Sequence, residues 1–298
     1  MAAGSRGGVS SGFATSSGGT RVHTAVRLCW AAVAALLALP LAAQQPPGID
    51  VPYVTTPPEV VAQMLALARP TRNDVLYDLG SGDGRIVIEA ARRFGTRGLG
   101  VDIDPVRVEE ATDNARRRGV QDRVRFRRQD LFATDLRPAS IVTLYLLPNL
   151  NLELRPKLFE QLRPGTRVVS HAFHMGDWAP DTVVAVRVNQ GVGRAMVYAW
   201  TIPAQIAGRW TLTTPEGRRV TLQLRQQYQR FTGPGVSGRL VGDRIDITLT
   251  ERVNGRPLTR RLSGRVTGDG MSGSVAGGGA WRAMRAPAIR SATSTAPR

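Results

Sequence analysis

The sequence predicts an α/β fold, a doubly wound, mostly parallel sheet, followed by a smaller C-terminal antiparallel β module, on three observations. From Val51 to about Ile202, short strand-like apolar runs alternate with helical patterns of about a dozen residues. The first such run leads directly into the loop Gly80-Ser81-Gly82-Asp83-Gly84 and then into a helical pattern. Beyond Gly208 the period changes to strict polar–apolar alternation between Gly, Asn and Pro turns, which is the signature of antiparallel strands.

The elements follow in order. Residues 1–27 hold Arg6, Arg21 and Arg27, many small residues and no acid. Leu28 to Ala43 is then a 16-residue apolar run closed by Gln44-Gln45-Pro46-Pro47. That order matches the n-region, h-region and cleavage zone of a signal peptide. A helix of that length reaches only about 24 Å, short of a ~30 Å hydrocarbon core, and Pro40 interrupts it. The expectation is an exported or membrane-associated protein, or a cytoplasmic one if translation starts downstream. Val26-Arg27-Leu28 before Cys29 is not a lipobox.

In the α/β half, Pro58 to Leu67 is helical and ends before Pro70; Val75-Leu76-Tyr77 is a buried strand; Ile86 to Phe94 is helical. The pattern continues with a strand at Gly98–Val101, a helix at Pro105–Arg118 and strands at Val124–Arg128 and Ile141–Tyr145. A helix over Leu152–Leu162, a strand over Thr166–Ser170 and a hairpin of Thr182–Val188 with Ala195–Ile202 complete it. The domain boundaries are therefore placed at 1–43, signal peptide or anchor; 44–205, α/β domain; 206–285, β module, a small barrel or sandwich; and 286–298, a loose tail.

Composition excludes several classes. With 42% hydrophobic and 21% charged residues, 298 residues form a folded globular chain rather than a disordered or polytopic one. One cysteine and three histidines, without metal-ligand spacing, exclude a disulfide scaffold and structural zinc. The net charge of +17 is carried by 39 arginines and the single Lys157, with no basic block interleaved with aromatics, so no specific nucleic-acid partner is expected. Residues 209–298 hold 16 arginines against 5 acids, whereas residues 44–208 hold 21 basic residues against 18 acids. The β module therefore carries the excess. It reads either as a packing module or as a docking surface for an anionic partner, and with the N-terminal segment it is where membrane association is open. Gly208-Arg209-Trp210 resembles a lipocalin Gly-x-Trp motif, and Trp281 is placed to close a small barrel.

The glycine loop lacks the G-x-G-x-x-G register of a pyrophosphate site, and Asp78 precedes it. An acid there disfavours an anion and favours a cation, which suits the sulfonium and ammonium groups of S-adenosylmethionine. Asp102 closes the second strand 22 residues after Gly80, placed to accept hydrogen bonds from two ribose hydroxyls, with Ile103 next to it. Asp130, followed by Leu131 and Phe132, closes the third and fits an adenine amino group beside an apolar wall. Taken singly, each acid also reads as a loop or N-cap residue.

These residues resemble a known group. Asp-Leu-Gly-Ser-Gly-Asp-Gly at 78–84, Val-Asp-Ile-Asp at 101–104 and Asp-Leu at 130–131 are similar to the cofactor motifs of class I S-adenosylmethionine-dependent methyltransferases, which have a Rossmann-like sheet. More narrowly, Pro-Tyr-Val-Thr-Thr-Pro at 52–57, Asp-Gly-Arg-Ile-Val at 83–87, Leu-Tyr-Leu-Leu-Pro-Asn at 144–149 and Gly-Asp-Trp at 176–178 resemble bacterial relatives of the mitochondrial ATP synthase c-subunit lysine methyltransferases. The resemblance covers about residues 51–202. It implies that Gly80, Gly82 and Gly84 allow close approach of the cofactor, that Asp78 meets its methionine end, and that Asp102 and Asp130 hold ribose and adenine. It also implies a flap of Tyr53, Thr55 and Thr56, and an acceptor amine oriented by Tyr145 and Asn149 at the end of the fourth strand.

The implied reaction is transfer of a methyl group to an amine, with a protein lysine as the acceptor. The alternatives are a small-molecule acceptor, or an exported binding protein with an inactive domain. Methyl transfer needs approach geometry and a neutral nucleophile more than a dedicated base. His171 and His174 read either as proton acceptors or as structural residues, and Trp178, Phe159 and Leu162 as packing residues.

Overall fold

The computed structural model describes residues 54–189 and 193–287; the apolar run at 28–43, Tyr53 of the expected flap and the tail from 288 lie outside the described residues. The first half holds helices α1 (Pro58–Ala68), α2 (Arg85–Phe94), α3 (Pro105–Arg117) and α4 (Pro148–Gln161). Its strands are β1 (Val75–Leu79), β2 (Arg97–Asp102), β3 (Val124–Arg128), β4 (Ile141–Leu144), β5 (Arg167–His171), β6 (Thr182–Arg187) and β7 (Arg194–Thr201).

Local chemistry sets the helix boundaries. Pro58, Pro105 and Pro148 open α1, α3 and α4, where the missing N–H costs nothing. Asp104 caps α3 by accepting the Val106 N–H at 2.8 Å. Gly84 and Gly95 bracket α2 in left-handed conformations. The fourth strand stops at Leu144 and α4 begins at Pro148, earlier than the apolar pattern suggested, so Tyr145 lies in the connecting loop and Asn149 in the first turn of α4.

The sheet order is β3-β2-β1-β4-β5-β7-β6, with β7 antiparallel to both neighbours. It is buried on both faces, with α1, α2 and α3 over Leu76, Ile141 and Val169, and α4 over Tyr77, Val142 and Val168. Strand order reverses between β1 and β4, opening a crevice at their C-terminal ends.

The second half is a closed eight-stranded antiparallel barrel: β8 (Gly208–Thr213), β9 (Arg219–Gln227), β10 (Arg230–Gly233), β11 (Val236–Val241), β12 (Arg244–Val253), β13 (Arg256–Thr267), β14 (Gly270–Val275) and β15 (Ala280–Arg285). Its interior is filled by Trp210, Phe231, Trp281 and aliphatic side chains. A Cβ on Gly264 would lie 2.7 Å from the Trp281 ring, so that glycine makes room for the indole.

The barrel is fastened to the edge of the sheet opposite the crevice. Thr201, which ends β7, pairs with Arg167, which starts β5, and the Ala204 N–H donates to Gly242 in a barrel turn at 2.8 Å. Tyr228, in the β9–β10 turn, packs against Phe159 and Trp178, and its hydroxyl donates to Asp177 at 2.9 Å. The Gln229 amide donates to the Ala179 carbonyl, and Arg239 pairs with Asp181 at 2.6 Å. Strands of four to six residues separate the two edges by roughly 13–20 Å. No helix among the described residues is long and apolar enough to cross a membrane.

Candidate active site

The crevice at the C-terminal ends of β1, β2 and β4 gathers most of the residues singled out from the sequence. Gly80, Gly82 and Gly84 all take positive φ, which makes the sharp turn from β1 into α2. The loop's donors are already engaged. The Gly80 and Ser81 N–H groups donate to the Val101 carbonyl, the Gly84 N–H to the Ser81 carbonyl, and the Gly82 N–H to Asp102 Oδ2 at 2.8 Å. A phosphate cradle needs free N–H groups, so this loop does not hold a pyrophosphate. Gly84 differs from the other two glycines: a Cβ there would sit 2.5 Å from the Phe126 ring, so its role is internal packing of α2 against the sheet.

Asp78 lies fully buried at the end of β1 and accepts a hydrogen bond from Thr143 Oγ1 at 2.7 Å. Burial pushes its carboxyl up to about 7, with Asp102 and Asp83 adding repulsion and the Thr143 bond opposing. A cation placed beside it would favour its ionised form. Asp102 also takes the Asp104 N–H on Oδ1 at 3.0 Å, so each oxygen keeps capacity for one more donor. Ile103 is half exposed at the crevice rim. Asp130 caps a short 3₁₀ turn, Leu131–Ala133, through the Phe132 N–H at 2.8 Å, which is its N-cap reading. Lys157, the only lysine, reaches from α4 to the Phe132 carbonyl and steadies that turn.

A strap that sequence reasoning only partly saw crosses this edge. Arg85 is held by Asp83 at 2.6 Å and donates to the Thr56 carbonyl at 2.8 Å. The Thr56 hydroxyl is hydrogen bonded to His171 Nδ1 at 3.2 Å, joining the N-terminal segment to the end of β5. The His171 ring lies 3.9 Å from that of half-buried Tyr145, and Phe173 stacks beyond it at 6.4 Å. Asn149 is exposed nearby in the chain, and His174 is exposed and accepts the Gly176 N–H. Among the described residues, Ser81 Oγ in the glycine loop and Asn151 Oδ1 in α4 beside Ser170 are buried without a hydrogen-bond partner, as is Thr214 Oγ1 in the barrel.

Burial lowers the His171 imidazole to about 4, so it is neutral at physiological pH and unsuited to carry a positive charge. Because its folded value lies below the ordinary one, its contribution to stability is complete above about pH 6.5 and is lost as the pH falls from there toward 4. Its ring NMR signals should stay fixed between pH 5.5 and 9; titration near 6.5 would contradict this placement. Among the described residues no group of His, Cys, Asp and Glu is arranged to hold a metal.

The donor set fits S-adenosylmethionine: a buried acid for a cationic end, a carboxylate with spare lone pairs for vicinal hydroxyls, an unpartnered Ser81 hydroxyl, and apolar Ile103 and Leu131 at the rim. The family model of the ANTKMT methyltransferase domain matches residues 78–182. A protein-lysine N-methyltransferase of Saccharolobus islandicus is 43% identical over 153 residues, 51% of this chain and 94% of that protein. The adenine nucleotide translocase lysine N-methyltransferase of Mus musculus is 37% identical over 165 residues, 55% of this chain and 69% of that protein. A Salinibacter ruber structure, described as an RNA methyltransferase in complex with S-adenosyl-L-homocysteine, shares 57% identity, with a TM-score of 0.48, over 51% of this chain and 96% of that one. With the crevice and its acids, the match across nearly the whole of the Saccharolobus islandicus protein shows that this chain is an S-adenosylmethionine-dependent methyltransferase belonging to the protein-lysine N-methyltransferase family.

Proposed function

We propose that the enzyme methylates the side-chain amine of lysine in a protein. The observation that carries this reading is the 43% identity to the protein-lysine N-methyltransferase over 94% of its length. The uncharged acceptor side, with Tyr145 half-buried and His171 neutral, is consistent with it. When bound, S-adenosylmethionine supplies a methyl group on a cationic sulfur. In this reading Asp78 attracts the methionine end, Asp102 holds the ribose, and Asp130, Ile103 and Leu131 hold the adenine, while Gly80 and Gly82 leave room for close approach. The strap of Thr55 and Thr56 excludes water. Tyr145 and Asn149 orient the amine, and desolvation beside the Tyr145 ring lowers its pKa so that it enters neutral. His171 holds the strap and takes no proton, so the proton leaves to solvent before transfer.

Incubating the protein with S-adenosylmethionine carrying a trideuterated methyl group and a cell extract tests the acceptor. Mass spectrometry should find the label on lysine Nζ of proteins; label confined to small molecules would overturn the reading. Asn149→Ala should lower kcat by about 10–100-fold while cofactor affinity changes less than about twofold. Equal loss of both would assign Asn149 a structural role.

The localisation proposal rests on the apolar run at 28–43: the chain is exported or membrane-held through it. Sequencing the N-terminus of the native protein reads this out. A start near Gln44 indicates cleavage, one upstream of Leu28 a retained segment, and translation beginning beyond the run a cytoplasmic enzyme.

A further inference from the structure

The outer face of the barrel carries a row of arginines that methyl transfer does not use. Arg244 on β12 stands directly opposite Arg265 on β13; Arg265 faces Ser272 on β14, and Ser272 faces Arg282 on β15. Arg282 faces Thr213 on β8, and Thr213 faces Arg219 on β9. All six alternate along their strands with the residues that fill the interior, so they point outward. At ~4.8 Å per strand, the row runs about 24 Å around six of the eight strands.

Carboxylates offset little of this charge. Asp243 pairs with Arg265, Asp246 is exposed on the same face of β12 two residues from Arg244 but in no ion pair among the described residues, and Glu216, Glu251 and Asp269 are taken by Arg260, Arg218 and Arg285. No carboxylate partner reaches Arg219, Arg244 or Arg282 among the described residues. Like charges set directly opposite destabilise a strand pair, and an external anion would relieve the repulsion.

Geometry narrows the anion. The row wraps a convex surface, which a flexible chain can follow and a flat bilayer or rigid duplex cannot. The barrel aromatics Trp210, Phe231 and Trp281 are buried, so the outer face offers no platform for stacking bases. Side chains on one face of an extended peptide recur every ~6.6 Å, between the one-strand and two-strand gaps of ~4.8 and ~9.6 Å in the row, and guanidinium groups pair with carboxylates in a bidentate fork. We propose that this girdle binds an extended acidic segment of a protein partner. It rests on the methyl-transfer reading only in taking the partner to be a protein, and its position away from the crevice leaves the cofactor edge free.

The test is binding of fluorescent poly-L-glutamate to the full chain at about 0.15 M salt, where distant exposed charges are largely screened. The variant R219Q/R244Q/R282Q should bind about tenfold more weakly or worse, whereas R116Q/R117Q/R118Q, which removes the same charge from the C-terminal end of α3 and the residue after it, should stay within about twofold. If the triple variant does not fold, R282Q alone should show a smaller loss of the same sign. Absence of binding by the parent protein, equal loss in both triple variants, or stronger binding of oligouridylate or phosphatidylglycerol vesicles overturns the proposal. Cofactor titration of the same samples reports separately on the methyltransferase site, so the two readings fail independently.

Discussion

Asp102→Ala is expected to weaken S-adenosylmethionine binding by at least about 100-fold. The carboxylate accepts the Gly82 and Asp104 N–H groups, at 2.8 and 3.0 Å, and so fixes both the glycine loop and the start of the β2–α3 connection. Hydrogen bonds to a charged acceptor are worth roughly 1.5–3 kcal/mol each, so the loss of loop order adds to the loss of the proposed ribose contacts. Asp102→Asn keeps an acceptor and should retain the fold while losing part of the affinity. Calorimetry with a thermal melt separates the two effects. Unchanged cofactor affinity in the alanine variant would remove Asp102 from the site.

Ending the chain after Gln205 is expected to lower the melting temperature by roughly 10 °C or more, or to cause aggregation, since it uncovers apolar surface on the catalytic domain. Tyr228 covers Phe159 and Trp178, lies under the Arg155 guanidinium and bonds Asp177. Without the barrel these rings face water, and Asp181 loses Arg239. Tyr228→Ala is the smaller version: a loss of about 2 kcal/mol, or roughly 4–8 °C in a chain of this size. A truncated chain that melts like the parent would show that the barrel is an appendage and not a brace.

The parallel sheet was legible because its central strands are buried on both faces and its helices open at proline or end at glycine, so period and punctuation agree. The barrel was harder to read. Its β10, β11 and β14 strands contain Gly233, Gly238 and Gly273, where the inward position carries no side chain and alternation fades. The three acids at strand ends were visible from spacing alone. The raised pKa of Asp78 was not, because it follows from complete burial against the opposing bond from Thr143, 65 positions away. The Thr56–His171 bond spans 115 positions and leaves no local signal. Sequence also could not place the basic module relative to the chemistry. Its attachment through Ala204 and Tyr228 puts it at the edge of the sheet away from the crevice, so any docking it performs acts from a distance.

Calorimetric titration of S-adenosylmethionine at several pH values tests the central claim most directly. Asp78 in the free protein is raised to about 7, and a cationic ligand beside it favours the ionised form, so binding below that pH must release a proton. Affinity should therefore rise about tenfold from pH 6 to pH 8 and then level off, with a binding heat that depends on buffer ionisation near pH 6.5. Asp78→Asn should abolish that dependence. Absence of binding, or an affinity indifferent to pH and to the Asn substitution, would contradict the account.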